Sequence, residues 1–340
     1  MRAVVWAVLC LVLAACSRKP APVASGNPQV NLPPAEKTVL WVGEIPSHYK
    51  NAGGYSFRSQ LRSELRAVAV DIEDDAAKPH DAVLNVECSE RTCGKFDNGE
   101  DGWTFTVRFR VTPRGAANPL LDFTVEAGSL KLEYVSKKLP VRKVAMDHLM
   151  NDPLTKVAPA LVAAALGVKA GSSEALEGCL KCATRGPALA ALKAGGWTPT
   201  TASEKGKWAV GTGDPAAVAA SGDAAVDAAM SVLTGVLPAS DDVEYLVPLL
   251  ASATGAHAAE AQARILAAML ERRILADAPA AQLALLAGLE RNGAGDALAS
   301  LDRIATGAVP AHLHGLQSQP ARDAASKAAA AIRVRSAEKK

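Results

Sequence analysis

The chain has 340 residues, enough for two domains of ordinary size. Its 37 Lys and Arg nearly balance 35 Asp and Glu, and a formal charge of +2 argues against a nucleic-acid surface, which needs clustered basic residues. Aromatic residues are only 4% while alanine is abundant, which favours closely packed helices over a sheet-rich protein.

The N-terminus carries the three parts of a secretory signal: basic Arg2, an apolar run from Ala3 to Leu13, and small Ala14 and Ala15. The run falls short of the roughly 20 apolar residues a spanning helix needs, and Ser17-Arg18-Lys19-Pro20 ends it. Leu13-Ala14-Ala15-Cys16 resembles the lipobox of bacterial lipoproteins. The resemblance implies a signal peptide over residues 1–15 and a Cys16 that is acylated and becomes the first mature residue. It further implies a palmitate-bearing envelope protein, sorted to the outer membrane and facing the periplasm because Ser17 is not aspartate. Residues 16–36 hold Pro20, Pro22, Pro28, Pro33 and Pro34 without a hydrophobic period, the composition of an extended tether.

Residues 37–168 mix strand and helix. Thr38 to Val42 is a short apolar run stopped by Gly43. Phe57, Leu61, Leu65 and Val68 share one face of an amphipathic helix. Strands follow over Val68–Ile72 and Asp81–Cys88. From Trp103 to Thr112, Trp103, Phe105, Val107, Phe109 and Val111 alternate strictly with polar residues, a half-buried antiparallel strand that Leu121, Phe123 and Val125 continue. Helices over Val141–Met150 and Pro153–Leu166, the second with Asp152 as N-cap, close an α+β domain: an antiparallel sheet with helices on one face.

Residues 172–336 read as helix throughout, in short segments broken by Gly, Pro, Ser or Asp. One stretch runs Ala191-Leu192-Lys193-Ala194-Gly195-Gly196-Trp197-Thr198-Pro199 and continues through Trp208-Ala209-Val210-Gly211-Thr212-Gly213-Asp214 to the small-residue helix Ala217–Val226. It resembles the inter-repeat pattern of bacterial HEAT repeats related to phycobilin-lyase arrays. The resemblance implies an all-α repeat scaffold and no lyase chemistry, since no chromophore residues can be matched. A plain helical bundle is the alternative.

Export would place the cysteines in an oxidising compartment. With Cys10 in the signal and Cys16 as lipid carrier, Cys88, Cys93, Cys179 and Cys182 remain as expected disulfide cysteines, and four allow three pairings. Cys88 and Cys93 flank Ser89-Glu90-Arg91-Thr92 and are expected to pair across a tight turn. Cys179-Leu180-Lys181-Cys182 suits a structural disulfide, with redox activity or metal ligation as alternatives; the helical surroundings do not match a βαβ redox motif, and Ala183 stands where haem attachment needs His.

Asp97-Asn98-Gly99-Glu100-Asp101-Gly102 has the start of a calcium loop, but Arg108 stands where the bidentate Glu belongs, so a hairpin loop is expected. Gly211-Thr212-Gly213-Asp214-Pro215-Ala216 fits a dinucleotide string without its βαβ setting and is expected to break two helices. His48, His80, His148, His257, His312 and His314 form no metal motif.

These features predict a non-catalytic scaffold or adaptor with an envelope protein as partner, the membrane reached through the lipid, no nucleic acid, and neither cofactor nor metal. An envelope thiol-disulfide protein using Cys179 and Cys182, and a small-ligand sensor using the α+β domain, are the alternatives.

Overall fold

The computed structural model describes residues 38–51, 53–95, 99, 101–128, 141–235 and 237–338. The signal, Cys16 and the tether lie outside the described residues. Packing divides the chain into two compact units. One takes the described residues up to Gly178 together with Ala183–Thr198; the other takes Cys179–Cys182 and Pro199 onward.

In the first unit, β1 (Thr38–Val42), β2 (Val70–Glu73), β3 (Ala82–Lys95), β4 (Asp101–Pro113) and β5 (Leu121–Gly128) form one sheet ordered β2-β1-β3-β4-β5. The sheet is mixed, which corrects the expected antiparallel one. β1 runs parallel to both β2 and β3, while β3, β4 and β5 form an antiparallel meander. The cause is α1 (Phe57–Ala67): a strand, a helix and a strand in succession return the chain parallel to its start.

Phe57, Leu61 and Leu65 of α1 are buried, and Phe57 meets Phe109 of β4 edge-on at 6.4 Å. Phe109 stacks on Phe123 of β5 at 4.9 Å, so the covered sheet face is built around aromatic neighbours. The opposite face carries ion pairs, among them Arg108 with Asp122 and Arg91 with Glu126. Beyond the sheet come α2 (Val141–Asn151), which packs on β4 and β5, and α3 (Pro153–Ala165), whose N-terminus Asp152 caps by accepting from Leu154 N at 2.8 Å. Every residue of α3 from Val157 to Ala165 is buried. α4 (Lys169–Gly178) lies against it through Gly171, where a Cβ would come within 2.7 Å of the Ala160 carbonyl oxygen. The next helix is α5 (Cys182–Ala194), which belongs to this unit from Ala183 onward.

The second unit is all-α: α6 (Ala202–Thr212), α7 (Pro215–Ser221), α8 (Asp223–Leu233), α9 (Ser240–Ser252), α10 (Ala256–Leu270), α11 (Pro279–Asn292), a 3-10 turn (Gly295–Ala297), α12 (Leu298–Ala305), α13 (His314–Gln317) and α14 (Gln319–Glu338). The protein is therefore α+β and then all-α. The principal packing pairs here are α6 with α8, α9 with α11, and α14 with both α11 and α12. Glycines set two of these crossings. A Cβ on Gly206 would lie 2.4 Å from the Ala224 carbonyl, and one on Gly288 would lie 2.8 Å from the Ala251 oxygen. Among the described residues no single helix is long and apolar enough to cross a membrane.

Candidate functional site

The Cys179–Cys182 tetrapeptide is the turn between α4 and α5. Cys179 is fully buried and Cys182 half-buried as the first residue of α5. The helix starts at Cys182 because a residue distant in sequence supplies its cap. Asp242, in the first turn of α9 and only 8% exposed, accepts the Cys182 N–H at 2.7 Å. The Cys182 thiol donates to the Asp241 carbonyl oxygen at 3.2 Å. Asp241 and Asp242 are legible in the sequence as carboxylates of their own helix, and nothing at that separation signals the second role. The Asp242 carboxylate offsets the positive end of the α5 dipole.

The surroundings of this turn are tight. Gly211 of α6 approaches it so closely that a Cβ would sit 2.8 Å from Cys179 Cβ. Tyr245 of α9, 2% exposed, donates its hydroxyl to the Val210 carbonyl at 2.5 Å and to the Gly211 carbonyl at 3.2 Å. The expected break at Gly211–Ala216 is present. Gly213 ends α6 with φ 71°, and Asp214 starts α7 by accepting from Ala216 N at 2.9 Å. The sequence Gly-Thr-Gly is therefore a helix stop and a helix start, with no strand before it.

Cys88 and Cys93 do not flank a turn, which corrects that expectation. Both lie on β3, which stays paired with β4 from Ala82↔Pro113 to Thr92↔Trp103. Five residues of strand span about 16 Å, and a disulfide joins Cα atoms within about 7 Å. A local bridge therefore does not fit. Burial pushes the Cys88 thiol up to about 12. It belongs instead to a cluster on the covered sheet face. Arg142 of α2 pairs with Glu90 at 2.6 Å and lies 5.8 Å from the Trp103 ring centroid and 5.6 Å from that of Phe105. Tyr49, 5% exposed, meets Phe105 edge-on at 6.2 Å. Its hydroxyl is raised above the usual phenol range, first by burial, then by Cys88 and Glu90, with Arg142 opposing. The single charges of Glu90 and Arg142, far apart in sequence, left no pattern from which this pair could be read.

The acidic loop lies partly outside the described residues; its flanks hold the hairpin register Lys95↔Asp101, with an ion pair of 3.0 Å. His312 and His314 do not converge on a metal. The His314 backbone N–H donates to Asp277 at 3.1 Å, and among the described residues no group of three or more His, Cys, Asp or Glu has metal-site geometry. In the all-α unit Trp208, Lys205, Pro199 and Ser221, with Ala202, Ala209, Ala217 and Ala220, line a groove of about 390 Å³. No protein family, curated protein or solved structure matches the chain.

Proposed function

We propose that this chain is a lipid-anchored envelope protein, held at the outer membrane through Cys16 and facing the periplasm, with its helical half acting as a non-catalytic scaffold for another envelope protein. The observation that carries this reading is the packing of the second unit. Two of its strongest contacts, α6 with α8 and α9 with α11, join each helix to the next but one across a glycine crossing, in keeping with a HEAT-like stack. Such a stack offers an extended side to a partner. The Trp208 groove adds an indole among small alanines, the kind of residue that anchors protein interfaces. The lipobox-like Leu13–Cys16 segment supports the anchor, and the proline-rich residues 17–36 support a tether between anchor and folded units.

Two measurements test it. Metabolic palmitate labelling should mark the wild-type protein and fail on Cys16→Ser; equal labelling removes the anchor. Photo-crosslinkers placed at Trp208 and at Leu283, an exposed apolar residue of α11, in cells, followed by mass spectrometry, should capture one envelope protein in near-stoichiometric yield. Recovery of the chain alone removes the scaffold.

A further inference from the structure

The Cys179–Cys182 turn joins three observations. Cys179 is fully buried beneath Gly211. Cys182 is half-buried, and the structure holds it as a thiol whose sulfur donates to the Asp241 carbonyl. That carbonyl lies in the first turn of α9, where it is also positioned to accept the Tyr245 N–H in the helical i to i+4 pattern. Cys179 and Cys182 stand at the two ends of the four-residue turn between α4 and α5, and a tight turn of that length brings its end Cα atoms within about 7 Å. A disulfide joins Cα atoms about 4.4–6.8 Å apart, so closure of the turn would join the two sulfurs.

We propose that Cys179 and Cys182 are a redox-sensitive clasp on the N-terminus of α9. As a thiol, Cys182 grips Asp241; on oxidation its sulfur leaves that carbonyl and bonds to Cys179. The oxidant is a disulfide of the thiol-disulfide exchange class. Cys182, the more accessible sulfur, loses its proton, attacks one sulfur of the oxidant and expels the other as a thiol. Cys179 then loses its proton and displaces the second oxidant thiol from the mixed disulfide. Two cysteine thiols give up two protons and two electrons, and one oxidant disulfide becomes two thiols. The Asp242 contact is to the Cys182 backbone N–H and survives, so the turn stays docked while the Asp241 carbonyl alone loses its thiol partner. Asp242 also leaves no open positive helix end to favour a thiolate, which suits a slow switch over a turnover catalyst. The supply of such an oxidant rests on the envelope location proposed above.

The test uses the full mature chain carrying Cys16→Ser, equilibrated in reduced or oxidised glutathione. Mass-spectrometric mapping of alkylated peptides reads the bond, and hydrogen exchange at Glu244 to Leu246 reads the helix end. Oxidation should produce a Cys179–Cys182 disulfide and exchange about fivefold faster at those amides, the scale of one lost hydrogen bond. Cys182→Ser keeps a hydroxyl donor and should exchange slowly in both buffers. Two alkylated thiols after oxidised glutathione, or a disulfide without faster exchange, overturns the clasp. The defined buffer makes this outcome independent of location, which the palmitate labelling decides separately.

Discussion

Replacing Gly206 by alanine sets two physical effects of opposite sign against each other. In an exposed helix interior the change stabilises by roughly 1 kcal/mol, because glycine has more backbone entropy to lose. At Gly206 of α6, however, the new methyl would stand 2.4 Å from the Ala224 carbonyl carbon and oxygen and 2.7 Å from Ala225 N. Those atoms are backbone and cannot rotate away, so α6 and α8 must separate by roughly 1 Å, the shortfall against a normal contact of about 3.5 Å. Overpacking of this kind costs about 1–3 kcal/mol, and the separation would also loosen Ala209, Val210, Ala225 and Val226, all buried at this crossing. The expected net is a destabilisation of about 2 kcal/mol, or a Tm lower by about 6 °C for a unit of this size. Gly186 of α5 is the control: nothing lies within 4 Å of its Cβ position. Gly186→Ala should therefore stabilise its own unit by about 0.5–1 kcal/mol. Differential scanning calorimetry of the mature chain compares the two. A neutral or stabilising Gly206→Ala would refute the glycine-crossing account of how the helical half is packed.

Glu204 closes a capping box with Thr201, and hydrogen bonds from Thr201 and Thr200 hold its carboxyl down to about 2. Its folded value lies below the ordinary 4.5, so its contribution is present above pH 4.5 and is lost as pH falls toward 2. Discounted for its exposure, Glu204→Ala should cost about 1 kcal/mol at pH 7 and nothing near pH 2, as read by urea unfolding at both. Tyr245→Phe leaves the Val210 and Gly211 carbonyls without the hydroxyl donor; a loss of about 1–2 kcal/mol with an unchanged urea m-value is expected, and no loss would remove its role as a clamp. Cys88, whose thiol is pushed up to about 12, should resist iodoacetamide in the native reduced protein at pH 8 while Cys93 reacts; equal rates by peptide mapping would contradict the burial.

How much of this architecture the sequence discloses depends on how local its causes are. β4 is plain because one face of it is buried from Phe105 to Val111 and half-buried at Trp103, so every second residue there is apolar. Its partner β3 was legible only to Cys88. Past that point it leaves the apolar core: Glu90 sits on the covered face without an apolar side chain because Arg142 neutralises it there, and the polar run Ser89–Thr92 then imitates a turn. The parallel pairing of β1 with β2 was implicit in a helix lying between two short strands, but five and four residues show too little pattern to choose a direction. The start of α5 is the sharpest case. Its cap, Asp242, lies sixty positions away and serves its own helix by every local rule, so only the packed fold gives it a second helix to end. The C-x-x-C spacing could be found without that fold; which group the Cys182 sulfur grips, and hence what its oxidation would release, could not.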